Sequence, residues 1–167
     1  APLRERCSRA GADIVEARVI ESTKVLKRLY ETADRLLLDV PCSGTGVLRR
    51  NPDAKWRFNE GQKMELLEVQ QEILQKYSPM VKADGVLVYS TCSLFPSENQ
   101  KQIEVFLNSE FGKGWYLEDH VQVIPGKSDT ASGSISHHGN HNTANITLPG
   151  TITLDGDGFY MARLKRK

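Results

Sequence analysis

Two short runs of consecutive apolar residues stand out along the chain. Arg35 to Val40 carries Leu36-Leu37-Leu38 ahead of Asp39, and Gly85 to Ser90 carries Val86-Leu87-Val88 ahead of Tyr89. Such runs predict buried strands of a parallel sheet. Ile14 to Ile20 alternates instead, with Ile14, Glu16, Arg18 and Ile20 on one side and Val15, Ala17 and Val19 on the other, which predicts a further strand. Residues 115 to 124 and Gly158 to Leu164 predict two more. Helical spacing is clearest over Gln62 to Lys82, where Leu66, Ile73, Tyr77 and Met80 recur beside Leu67, Leu74 and Val81. Thr23 to Tyr30 is a shorter amphipathic stretch. Pro2 to Ala10 predicts a helix ended by Gly11, and Ser97 is predicted to cap one reaching about Asn108 with Ile103, Phe106 and Leu107 inward. Strands alternating with helices predict an α/β domain with a largely parallel sheet.

Between these elements, Pro41 to Asn59 predicts a long loop. Gly126 to Thr147 is poor in large apolar residues and rich in Ser, Gly, Asn, Thr and His, the composition of a flexible loop. His137, His138 and His141 lie there and are read as solvated rather than as metal ligands.

Composition narrows the function classes. At 167 residues the chain fits one domain with a real core. The 22 Lys and Arg against 21 Asp and Glu argue against a globally basic nucleic-acid binder, but leave local patches open. Three cysteines is an odd number and fits no disulfide framework. With no Cys-x-x-Cys pair, no metal is expected. No signal peptide or membrane-length apolar run is found, so a cytoplasmic location with free thiols is expected.

Candidate chemistry centres on Cys42 and Cys92, each at the end of an apolar run, where α/β sheets place their ligands. Cys7, on a predicted helix, reads as a small buried hydrophobe. A phosphatase loop needs an arginine after five intervening residues; Arg49 follows Cys42 one position late. A cysteine hydrolase needs a histidine base, and His120 stands in no motif. A dithiol redox pair remains open should the two cysteines meet.

Asp39-Val40-Pro41-Cys42-Ser43-Gly44-Thr45-Gly46, followed by Ser90-Thr91-Cys92-Ser93, closely resembles the Sun/NSUN-type family of RNA (cytosine-5) methyltransferases. The resemblance extends through Gly46 to Trp56, Gln70-Gln71-Glu72-Ile73-Leu74, Pro96-Ser97-Glu98-Asn99 and Asp157-Gly158-Phe159-Tyr160, over roughly residues 3 to 165. It implies a Rossmann-like class I methyltransferase sheet and transfer of a methyl group from S-adenosylmethionine to carbon 5 of cytosine in ribosomal or transfer RNA. It assigns the nucleophile to Cys92, elimination from carbon 5 to Cys42, and a place beside the methyl donor and the cytosine edge to Asp39. Pro41 stiffens the turn that presents Cys42. Arg49, Arg50, Lys55 and Arg57, interleaved with Trp56 and Phe58, suit phosphates and an unstacked base. The target must leave any stack to reach the thiols.

The family's Gly-rich cofactor turn and ribose-holding acid find no counterpart here. The expectation is therefore a single partial catalytic domain over 1–167, truncated at its amino-terminal side with the first two strands absent, and prone to self-association through an open sheet edge. A non-catalytic RNA-binding relative, or an inactive piece acting as a binding module, is the alternative; it would need no thiol at position 92.

Overall fold

The computed structural model describes residues 2–20, 22–126 and 150–167. All of the predicted flexible loop after Gly126, with His137, His138 and His141, lies outside the described residues. The elements are helices α1 (Pro2–Arg9), α2 (Thr23–Lys27), α3 (Ala54–Arg57), α4 (Glu60–Tyr77) and α5 (Gln100–Leu107), with strands β1 (Ala33–Asp39), β2 (Val81–Thr91), β3 (Trp115–Pro125), β4 (Gly150–Leu154) and β5 (Phe159–Arg166).

The two apolar runs become neighbouring parallel strands. Leu36 lies opposite Leu87, Leu38 opposite Tyr89 and Asp39 opposite Ser90. The sheet order is β1-β2-β5-β3-β4. Two pairings are parallel, β1 with β2 and β3 with β4; the two made by β5 are antiparallel. The sheet is therefore mixed rather than largely parallel. The reason is the short Asp155–Gly158 link between β4 and β5. Four residues cannot hold a crossover helix, so the chain returns in the opposite direction.

Leu74 of α4 and Ile103 and Phe106 of α5 share one core with Leu38, Leu87, Tyr89, Tyr160, Ala162 and Leu164 of the sheet. Their burial removes several large side chains from water, each worth on the order of 2 kcal/mol. From Phe159 to Leu164 of β5 exposed and buried residues alternate, so this stretch covers its core face only.

Three elements depart from the sequence expectations. α4 stops at Tyr77, before Lys82, because Pro79 has no amide hydrogen to continue the ladder; a tight turn over Ser78–Met80 leads straight into β2. α5 begins at Gln100, because Glu98 and Asn99 are drawn into the interior by side-chain bonds described below. Ile14 to Ile20 is not a strand, and Ile14 is 98% exposed. A strand needs a partner ladder, and no described strand lies beside this segment. Among the described residues β1 likewise pairs only with β2, and Leu37 on it is 66% exposed. That open edge is the geometry on which the expectation of self-association rests. No helix among the described residues is long and apolar enough to cross a membrane.

Candidate active site

Because β1 and β2 are parallel neighbours, the turns that follow them emerge side by side. The Val40 amide donates to the Ser90 carbonyl at 3.1 Å, carrying the register past the end of β1. Cys42 and Cys92 follow at once, and their Sγ atoms stand 3.1 Å apart. The Cys92 amide also donates to Cys42 Sγ at 3.3 Å. Both thiols are free and half-buried.

A close backbone junction holds the two turns. The Gly46 amide donates to the Cys92 carbonyl at 2.9 Å, and the Gly158 amide donates to the Gly46 carbonyl at 2.8 Å. A Cβ at position 46 would overlap the Gly158 carbonyl and come within 2.9 Å of the Cys92 carbonyl oxygen. Both obstacles are backbone and cannot swing aside. Gly46→Ala is therefore expected to destabilise the protein by about 2 kcal/mol or more, an overpacking cost. Chemical denaturation measures it, and a loss below about 0.5 kcal/mol would mean that the junction yields easily.

The sulfur pair has a defined electrostatic polarity. The hydrogen bond from Cys42 lowers the Cys92 pKa to about 7, against burial and the negative charges of Asp39 and Glu98. Cys42 moves the opposite way, because its proton is held between the two sulfurs and burial adds to the cost of ionising it. The pair thus carries its charge on Cys92 and its proton on Cys42. A thiolate at position 92 is a nucleophile available at neutral pH.

Around the thiols lies a buried polar frame. The Glu98 carboxylate, wholly enclosed, accepts from the Ser43 amide at 2.8 Å, the Ser43 hydroxyl at 2.5 Å, the Ser93 hydroxyl, and Gln70 Nε2 at 3.1 Å. Gln70 Nε2, from α4, also donates to the Pro41 carbonyl at 2.9 Å. Asn99 donates to the Ser93 carbonyl at 2.9 Å and to Gln122 at 2.8 Å, and accepts from Thr91 at 2.6 Å. The Leu94 amide donates to Thr45 Oγ1 at 2.8 Å, tying the second cysteine turn back to the first. Reading the sequence assigned no role to Glu98, Asn99 or Gln70. The available signal was a serine directly after each cysteine, with a Glu-Asn pair shortly beyond the second.

The remaining predicted residues spread around this centre. Asp39 is exposed at the end of β1, near enough for its charge to act on Cys92. Pro41 is exposed beside Cys42. Arg49 pairs with Asp155 at 3.4 Å and Arg50 with Asp157 at 2.6 Å, so both arginines reach the turn before β5. Lys55 Nζ lies 4.7 Å from the ring centroid of Trp56, which is 80% exposed. The side chain of Arg57 lies outside the described residues. Phe58 stacks on Phe95 with centroids 5.6 Å apart. A cavity of about 550 Å³ opens between α3 and α4, with Cys42, Asn51, Phe58, Gln62 and Glu65 on its wall. His120 bonds Tyr160 at 3.1 Å. Among the described residues no group of three or more His, Cys, Asp or Glu could hold a metal ion.

Comparison with known proteins converges on one family. The family model described as 16S rRNA methyltransferase RsmB/F matches residues 3–165. The chain is 40% identical over 145 residues to a probable ribosomal RNA small subunit methyltransferase B of Synechocystis sp., a match covering 84% of this chain and 29% of that protein. It is 40% identical over 134 residues to ribosomal RNA small subunit methyltransferase B of Yersinia enterocolitica, covering 80% of this chain and 26% of that one. Among solved structures, the crystal structure of PH0851 superposes with a TM-score of 0.71 at 31% identity, over 98% of this chain and 34% of that one. NSun6 from Pyrococcus horikoshii with SFG shares the fold, at a TM-score of 0.59 and 21% identity over 98% of this chain and 37% of that one. The chain spans less than a third of the length of these two curated relatives.

Proposed function

Because the chain belongs to the RsmB/F family of 16S rRNA methyltransferases, we propose that it carries the thiol half of an active site that methylates carbon 5 of a cytosine in RNA, ribosomal or transfer. The observation that carries this reading is the 3.1 Å sulfur pair at the ends of adjacent strands, with one member acidified to about 7. A non-catalytic RNA-binding module would have no use for such a pair.

The chemistry follows from the polarity of the pair. Carbon 5 of cytosine is a weak nucleophile. The Cys92 thiolate adds to carbon 6, and the electron pair released into the ring makes carbon 5 enamine-like. S-adenosylmethionine supplies the electrophilic methyl group when bound. Asp39 is exposed at the strand end; by the family resemblance it sits at the cytosine edge, where its carboxylate favours the ring protonated on that edge, the form able to accept the electron pair from Cys92. It is one edge of a cofactor site. The close approach at Gly46 is filled by backbone rather than left open to a ligand.

Cys42 then changes role. While Cys92 is a thiolate, Cys42 is its hydrogen-bond donor. Once Cys92 is a thioether, its sulfur bears no charge, and the larger of the two influences that kept the Cys42 proton in place is gone, leaving burial alone. Cys42 releases that proton to solvent and takes the one on carbon 5. The ring double bond re-forms as the Cys92–carbon 6 bond breaks, returning a thiol at 42 and a thiolate at 92.

RNA contact is assigned to Pro41 and to the loop holding Arg49, Arg50, Lys55 and Arg57. The Arg49–Asp155 ion pair is exposed on both sides, so its exchange for a phosphate contact costs little, whereas Arg50 is held by the largely buried Asp157. The cavity beside Cys42 is of a size to take an unstacked base. A direct test uses RNA carrying tritium on carbon 5 of its cytosines, incubated with the full-length protein and S-adenosylmethionine. The expected result is tritium release to water in step with methyl incorporation. Methyl incorporation without tritium release would place the methyl on another atom, and no incorporation into ribosomal or transfer RNA would overturn the reading.

A further inference from the structure

We propose that Glu98 is a positioning residue that sets the spacing and orientation of the two thiols by gripping the residue that follows each of them. Its catalytic meaning rests on the reading of Cys92 as nucleophile. The geometry stands without it.

Glu98 lies on neither cysteine turn. It comes from the segment before α5, and its carboxylate is fully enclosed. One oxygen accepts from the Ser43 amide at 2.8 Å and from Gln70 at 3.1 Å. The other accepts from the Ser43 hydroxyl at 2.5 Å and from the Ser93 hydroxyl. Ser43 is the residue after Cys42, and Ser93 is the residue after Cys92. Gln70 extends the grip to the Pro41 carbonyl, on the other side of Cys42. The Glu98 main chain is anchored as well, since its carbonyl accepts from Tyr89 at 2.7 Å. None of the described ion pairs involves this carboxylate. Four N–H and O–H donors meet two oxygens, and all four come from three residues, two of them adjoining the cysteines. A buried carboxylate is costly to enclose unless its donors are supplied in full. Here the donors belong to the two turns that must be aligned, so alignment and satisfaction of the carboxylate are one event.

The consequence reaches the chemistry through Cys42. The acidity of Cys92 comes first from the Cys42 hydrogen bond, which survives only while the sulfurs stay in contact. The groups acting on the pair are Asp39 from β1, Glu98 from the segment before α5, and the two thiols themselves, with Tyr89 of β2 close to Cys42. Glu98 therefore acts on Cys92 in two opposed ways. Its charge disfavours the thiolate, whereas its grip on the turns favours it. A variant that lost only the charge would have a more acidic Cys92. A variant that lost the positioning would have a less acidic one.

That opposition of signs supplies the test. The rate of iodoacetamide alkylation at Cys92, followed peptide by peptide by mass spectrometry against pH in the full-length protein, needs neither RNA nor cofactor. Its outcome is thus separate from that of the methylation assay. In the native protein the midpoint is expected near 7. In Glu98→Gln and in Ser43→Ala it should rise by about one pH unit, so that alkylation at neutral pH slows about fivefold. Ser43→Ala removes no charge and reports positioning alone; it decides by the same criterion if Glu98→Gln fails to fold. A midpoint unchanged or lowered in Ser43→Ala would overturn the proposal, as would a lowered midpoint in folded Glu98→Gln.

Discussion

Replacing Cys92 with alanine is expected to reduce methyl transfer to RNA by on the order of 10⁴-fold or more, to background. Cys92 is the one thiol of the pair with a thiolate available at neutral pH, and the other is held neutral by the contact between them. No other described nucleophile shares this arrangement: Cys7 lies on α1, which carries neither of the two turns. Among the described residues the Cys92 side chain hydrogen-bonds with Cys42 alone, whereas its carbonyl, which anchors Gly46, is untouched by the substitution. The variant should therefore fold and still bind RNA. Transfer of label from S-adenosylmethionine to RNA measures the loss. Retention of more than about one hundredth of native activity would remove Cys92 from the nucleophile's role.

Replacing Cys42 with alanine should have an effect of a different kind. Addition at carbon 6 remains possible, but the carbon 5 proton has lost its acceptor. A covalent protein–RNA species should accumulate and survive a denaturing gel. Loss of the Cys42 hydrogen bond also removes the main cause of the lowered Cys92 pKa, so the Cys92 midpoint should move up from about 7 toward the ordinary thiol range. The sign is clear. Adduct formation at pH 7 should slow relative to the native protein, and should recover as the pH rises past 8 because more of Cys92 is then ionised. The double variant lacking both thiols should form no adduct at any pH. An inactive Cys42→Ala protein that traps no adduct even at the higher pH would mean that Cys42 acts before addition.

Much of this was legible along the chain, for reasons that differ from element to element. The apolar runs at Leu36–Leu38 and Val86–Val88 announced strands because continuous apolarity over so few residues has few other uses, but the expected burial failed on β1, the edge of the described sheet, where Leu37 is exposed. The cysteines at their ends were legible as a pair once those strands were taken as parallel neighbours, since parallel strands end on the same side. Ile14 to Ile20 failed for the converse reason. Alternation is a property of residues, but a strand is a property of two chains in register, and no described strand pairs with this segment. The long helix overran its true end because its apolar spacing continues past Pro79, and the backbone cannot.

By itself the sequence determined the local chemistry of this protein: which residues could be nucleophiles, which turns carry them, and which family their motifs resemble. Spacing along a chain carries that much because turns and strands are short-range structures. The tertiary structure alone decided what depends on residues distant in sequence. It brought the two sulfurs to 3.1 Å across fifty positions, gave the proton to Cys42 and the charge to Cys92, and turned Glu98 inward to face Ser43 and Ser93. It also drew Arg49 and Arg50 to carboxylates at Asp155 and Asp157, more than one hundred residues away. Such pairings are governed by distances of a few ångströms, because hydrogen bonds and thiol acidity fall away steeply beyond contact, and no pattern in one dimension encodes those distances.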